Sequence, residues 1–189
     1  MTKLIIFDLD GVLVEAKEIH YKTLNKALAE VDKKYMITEK EHLSTYDGLK
    51  TNQKLEMLTE RKGLPTELHK EVWEKKQKIT LQKLKELEPS NQLIVCMEAI
   101  VSEGYKIAVC SNSIRKTVLT VLSKLGIMEY MDLIISNEDV KNSKPHPEMY
   151  WKAMSMMGVL PEETLIVEDS PYGLLAASRA KAHILRVKD

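Results

Sequence analysis

Asp8 and Asp10 stand one residue apart at the end of the apolar run Leu4-Ile5-Ile6-Phe7, and Gly11 follows to let the backbone turn. Along an extended chain, residues two apart point the same way, so these carboxylates can converge on one divalent cation or one phosphate. Three other places along the chain carry side chains suited to the same chemistry. Ile107-Ala108-Val109-Cys110 runs into Ser111-Asn112, Leu165-Ile166-Val167 runs into Glu168-Asp169, and Lys144 stands in Lys144-Pro145-His146-Pro147. Asp8, Asp10, Glu168 and Asp169 together make a candidate Mg²⁺ site of hard oxygen ligands. The two prolines fix the course of the Lys144 loop, and a positioned cation needs a rigid mount. Ser111 reads equally as a donor to a phosphate oxygen or as a helix N-cap. Asp10-Gly11 alone would be an ordinary turn signal. No regular series of oxygen ligands follows it, which excludes an EF-hand loop.

These side chains need a scaffold that gathers them. An unbroken apolar run is the mark of a strand buried on both faces. Four more short apolar runs alternate with helical stretches between Asn91 and Val187, the signature of a parallel α/β sheet. Ligands bind at the carboxyl edge of such a sheet, which is where every polar strand end falls. The expected architecture is a Rossmann-like parallel sheet core, residues 1–14 plus 88–189, with an α-helical cap of residues 15–87 inserted after the first strand. Within the insert, breaks are expected near Lys33–Tyr35, Ser44–Gly48 and Gly63-Leu64-Pro65. Thr38 with Glu41 forms a capping-box pattern, and Thr66 after Pro65 marks the start of the long helix through Trp73 and Leu84.

The chain has 189 residues, which suits one domain carrying a modest insertion. Twenty-eight basic residues balance 28 acidic ones for a net charge of +0, so no field favours nucleic acid or an anionic membrane. Met1-Thr2-Lys3 leads straight into a strand, and no apolar run approaches membrane-spanning length. The expectation is a cytoplasmic monomer. Cys96 and Cys110 lack metal-ligand spacing and read as buried free thiols. Cys110 and Arg115 are one residue too close for a cysteine-phosphatase loop. Met154, Met156 and Met157 read as core packing. The histidines form no cluster and read as surface or packing residues, with His20 on the first insert helix the one to watch.

Asp8-Leu9-Asp10-Gly11, Ser111, Lys144-Pro145 and Glu168-Asp169-Ser170, in that order, resemble the four motifs of the haloacid dehalogenase (HAD) superfamily of phosphotransferases. The helical insert is similar to the cap of the beta-phosphoglucomutase and phosphoglycolate phosphatase-like branch. The resemblance implies a Mg²⁺-dependent hydrolase of small phosphate monoesters that works through an aspartyl phosphate. Asp8 would be nucleophile and metal ligand. Asp10 would carry the proton, kept protonated by neighbouring carboxylates, and lend its backbone carbonyl to the metal. Asp169 and Glu168 would complete the metal site, Ser111, Asn112 and Lys144 would bind the phosphoryl group, and His20 and Lys50 would contribute from the cap. Two departures matter. Val14-Glu15-Ala16 replaces the Asp-Ser or Asp-Thr that often follows the glycine, and Thr51 stands where a phosphosugar mutase tends to carry arginine. Lys50 could partly replace that arginine, without its bidentate fork. A phosphatase is therefore expected ahead of a mutase, with a catalytically idle binding protein as the third reading.

Overall fold

The computed structural model describes residues 1–187; residues 188–189 of the expected core lie outside the described residues. Five strands form one sheet: β1 (Leu4–Phe7), β2 (Lys106–Cys110), β3 (Leu133–Ile135), β4 (Thr164–Glu168) and β5 (His183–Arg186). They lie in the order β3-β2-β1-β4-β5 and every pairing is parallel. The chain steps outward from β1 through β2 to β3, then crosses back to place β4 on the other side of β1. Strand order therefore reverses at β1, and a crevice opens there beyond the strand ends. Register sets what lines it. Phe7 is level with both Val109 and Val167, so Asp8, Cys110 and Glu168 leave the sheet side by side.

Alternation along the strands supplies two cores. Ile5, Phe7, Ile107, Val109 and Val167 face Met97 of α5 (Asn91–Ser102) and Val118, Val121 and Leu122 of α6 (Arg115–Leu125). Leu4, Ile6, Ala108, Cys110 and Ile166 face the other way, onto Met149, Tyr150 and Ala153 of α7 (Glu148–Met157) and the alanines of α8 (Pro171–Ala180). This is the Rossmann-like α/β arrangement expected from the apolar runs.

Between β1 and α5 the described residues form no strand of the sheet. They fold as α1 (Lys17–Ala29), α2 (Glu39–Glu41) running into a π-helical turn at His42–Tyr46, α3 (Thr51–Lys62) and α4 (His69–Leu84). Leu24, Leu28, Tyr35, Tyr46, Leu55, Leu58, Leu64 and Val72 make a third core within this insert. Leu84, at the end of α4, packs instead into the sheet's own core.

The capping box forms. Thr38 Oγ1 accepts from the Glu41 N–H at 3.1 Å, and Glu41 Oε2 accepts from the Thr38 N–H at 2.6 Å. Thr66 does not cap α4. A 3₁₀ turn at Thr66–Leu68 intervenes, and Leu68 at the helix entry offers no side-chain cap. Cys110 is buried, but Cys96 is exposed, since α5 presents its other face, with Met97, to the sheet. Met154 is buried, whereas Met156 lies on the outer face of α7 and is exposed. No helix among the described residues is long and apolar enough to cross a membrane.

Candidate active site

At the mouth of the crevice, Lys144 Nζ lies 2.6 Å from Asp8 Oδ1 and also donates to Glu168 Oε1. All three side chains are buried. Burial and the neighbouring Glu168 and Asp10 push the Asp8 carboxyl well above its ordinary value against the pull of Lys144, whose own ammonium is held charged by Asp8 and Glu168 in spite of its burial. Tyr150 donates to Glu168 Oε1 at 2.9 Å, and the Asp169 N–H, Ser170 N–H and Ser170 hydroxyl all donate to Oε2. Every Glu168 oxygen is thus engaged by protein donors, which anchors Lys144 rigidly.

Asp8, Glu168 and Asp169 each bring a carboxylate oxygen within 4.8 Å of the other two. Asp169 Oδ1 is buried and has no hydrogen-bond partner. An orphaned carboxylate oxygen beside two further acids fits a hard divalent cation. Space here is tight. Gly11, with φ of +86°, lies so close that a Cβ on it would meet Asp169 Oδ2 at 2.1 Å, and one on Gly173 would meet Glu168 Oε1 at 1.8 Å. Only glycine fits at either place.

Asp10 leaves this cluster. Its Oδ2 lies 3.1 Å from His20 Nε2 and accepts from the Ser113 hydroxyl at 3.1 Å. Burial alone would raise the Asp10 carboxyl, but His20, Ser113 and Lys76 outweigh it and hold the group below its ordinary value. The expectation that carboxylate neighbours keep Asp10 protonated is therefore corrected: its carboxylate faces a histidine, a hydroxyl and a lysine. His20 Nδ1 lies 3.3 Å from Lys76 Nζ. A neutral imidazole that accepts from Lys76 and donates to Asp10 satisfies both contacts, and burial together with Lys76 keeps His20 below its usual value.

Ser111 is buried and lines the cavity. Its Oγ accepts from the Ser113 N–H at 3.0 Å and closes a turn, while α6 starts only at Arg115, so the N-cap alternative does not apply. Asn112 lines the cavity, and its side-chain amide is engaged by protein groups. It donates to the Gly48 and Lys144 carbonyls at 2.8 and 3.1 Å and accepts from the Lys144 N–H at 3.0 Å. Lys50 lines the cavity rim.

Sequence reasoning missed two lysines. Lys54 on α3 and Lys76 on α4 line the same cavity of about 240 Å³ and are only 5% and 6% exposed. Among the described residues, no carboxylate lies within ion-pairing distance of either. Burial draws Lys54 down to about 8, and burial plus the charge of Lys54 draws Lys76 down to about 7. The signal was available. Thr51, Lys54, Leu55 and Leu58, and again Val72, Lys76, Thr80 and Leu84, fall at helical spacing on the buried faces of their helices. Gln77 joins them by donating to Thr51 Oγ1 at 3.2 Å.

The sequence model of haloacid dehalogenase-like hydrolases matches residues 5–187. The chain belongs to that family. A phosphorylated carbohydrates phosphatase of Thermotoga maritima is 28% identical to this hydrolase over 179 residues, spanning 93% of this chain and 80% of the relative. A phosphoglycolate phosphatase of Aquifex aeolicus is 28% identical over 179 residues, spanning 94% and 81%. Among solved structures, the beta-phosphoglucomutase of Clostridium difficile superposes with a TM-score of 0.88 at 26% identity, covering all of this chain and 86% of that one. The hydrolase is thus similar in sequence to phosphatases and in fold to a phosphoglucomutase along nearly its whole length.

Proposed function

We propose that this hydrolase is a Mg²⁺-dependent phosphatase of small phosphorylated metabolites whose far end carries a second anionic group. In this reading residues 15–87 act as a cap over a core of residues 1–14 and 88–189. The observation that carries it is the two-ended cavity. Asp8, Asp10, Ser111 and Lys144 lie on the sheet side, and Lys54 and Lys76 face them from the insert without a carboxylate of their own. Two buried ammonium groups held below their ordinary values are costly unless an anion joins them. The relatives' activities on phosphorylated carbohydrates and phosphoglycolate support the same class.

Asp8 attacks phosphorus, the bond to the leaving oxygen breaks, and Asp10 delivers a proton to that oxygen. Water then attacks the aspartyl phosphate while Asp10 takes up its proton, releasing phosphate and restoring Asp8. Lys144 and Ser111 bind the phosphoryl oxygens, and Lys144 pulls Asp8 toward the ionised form that the nucleophile requires, against the burial and acidic neighbours that raise it. Asp8 and Asp169 hold the Mg²⁺, with Glu168 fixing Lys144 beside them; when bound, the ion supplies charge neutralisation for the phosphoryl group. Asp10 starts ionised, under the field of His20 and Lys76. A substrate anion paired with Lys76 and a phosphate dianion beside Asp10 both reverse that field, so substrate binding itself favours the protonated acid.

A mutase is the second reading, because Lys54 and Lys76 provide the second anion site that a bisphosphate intermediate needs even though Thr51 replaces arginine. The test is a panel assayed with Mg²⁺: an aryl phosphate, a sugar monophosphate, a sugar bisphosphate and a phosphorylated hydroxy acid. Phosphate release fastest from the doubly anionic esters supports the reading, and no release from any ester overturns it. Conversion of beta-glucose 1-phosphate to glucose 6-phosphate with a bisphosphate primer would establish the mutase instead.

A further inference from the structure

Each carboxylate of the acidic cluster has an ammonium against it, but the two lysines that supply them are mounted differently. Lys144 serves Asp8 and Glu168 from within the core, with its side chain 3% exposed and its backbone held by Asn112. Lys17 serves Asp169. Its Nζ lies 2.9 Å from Asp169 Oδ2, with its side chain 16% exposed, and it comes from the first residue of α1, the helix that opens the insert.

We propose that Lys17 is a built-in competitor of the divalent cation: it neutralises Asp169 while metal is absent and yields Oδ2 when metal binds, so it sets the metal affinity of the site. The inference rests on the reading of Asp8 and Asp169 as metal ligands. With both lysines in place, three acids face two ammonium groups, and a buried carboxylate is not left bare before metal arrives. A dication entering beside Asp169 then meets the Lys17 charge at close range, and like charges around one buried oxygen disfavour each other. Metal and ammonium are thus two ligands competing for one carboxylate, and whatever Lys17 contributes to the metal-free protein is subtracted from metal binding. Because Lys17 begins α1, the exchange also ties metal occupancy to the root of the insert.

The test is calorimetric titration of the whole protein with Mg²⁺, comparing wild type, Lys17→Met, Lys17→Gln and Lys17→Arg, alongside melting temperatures in chelator and in saturating Mg²⁺. Lys17→Met and Lys17→Gln should bind Mg²⁺ at least about fivefold more tightly, the lower end of ordinary coupling between ligands, while Lys17→Arg stays near wild type. The neutral variants should melt below wild type in chelator and gain more from added Mg²⁺. If Lys17→Met is too unstable to titrate, Lys17→Gln carries the comparison. Equal or weaker Mg²⁺ binding by the neutral variants overturns the proposal and leaves the metal reading intact. Absence of Mg²⁺ binding in wild type and in every variant removes both.

Discussion

Lys144 Nζ lies 2.6 Å from Asp8 Oδ1, and Glu168 grips the same ammonium from the neighbouring strand end. The cation is therefore fixed by a residue that has no free oxygen left for substrate. Lys144→Met would leave two buried acids without their partner, a change that costs about 3–5 kcal/mol in comparable buried pairs. The expected outcome is a large fall in melting temperature together with loss of phosphate release. Asp8→Asn should separate the two effects, since Lys144 keeps Glu168. That variant is expected to stay folded in thermal melts and to lose at least roughly a thousandfold in turnover, as removal of a nucleophile does.

Lys54 offers a trade between stability and function. It is buried with no carboxylate among the described residues at ion-pairing distance, and burial draws it down to about 8. Lys54→Met removes a poorly accommodated ammonium and keeps the methylene stem, so the melting temperature should rise. The same change should raise KM for doubly anionic esters by roughly tenfold to a hundredfold, with little effect on an aryl phosphate. Equal effects on both substrates would place the second anion elsewhere.

Strands β1 to β4 were legible because their apolar runs are unbroken, whereas β5 carries His183 and Arg186 and is exposed along its length at the sheet edge. The position of Asp8, Lys144 and Glu168 around one crevice follows from register, with Phe7 level with Val109 and Val167. What could not be read was partner choice. Asp10 sits two residues from Asp8, yet the turn at Gly11 and the return of α1 place His20, not another acid, against it. Lys54 and Lys76 look like surface lysines in a sequence rich in them, and only the apolar stripe beside them betrays the buried face. The partners of the Asn112 side chain, the Gly48 and Lys144 carbonyls, were likewise not readable, because they come from loops far apart in sequence.

His42 makes stability depend on pH. It is buried in the insert with its ring 5.5 Å from that of Tyr21, near Lys54, His20 and Lys76 and 3.9 Å from Asp47. Burial and the two lysines with His20 draw it from 6.5 down to about 4. The unfolded chain takes up a proton near the ordinary value and the folded chain does not, so stability is present above about 6.5 and is lost as pH falls toward about 4. Allowing for screening, the loss is about 2 kcal/mol across that window. His42→Phe should flatten this part of the profile in denaturant titrations run at a series of pH values. An unchanged profile would assign the acid sensitivity to other groups.

Asn112 joins the insert to the core at the point where the cavity closes. One amide donates to the carbonyl of Gly48 at 2.8 Å, in the insert loop, and to that of Lys144 at 3.1 Å, and accepts from the Lys144 N–H at 3.0 Å. A shift of the loop at Gly48 would therefore be felt by the backbone that carries the fixed cation. Asn112→Ala removes all three bonds and leaves partly buried backbone groups without partners, which costs about 1–3 kcal/mol. Asn112→Asp keeps the acceptor for Lys144 but turns a donor toward Gly48 into a repelled oxygen. Both variants should free the loop, raising amide hydrogen exchange around Gly48 while the sheet stays protected. Turnover should fall more in Asn112→Asp, because the new charge lies against the phosphate site, and a variant that loses turnover without any gain in exchange at Gly48 would show that the amide does not tie the two parts together.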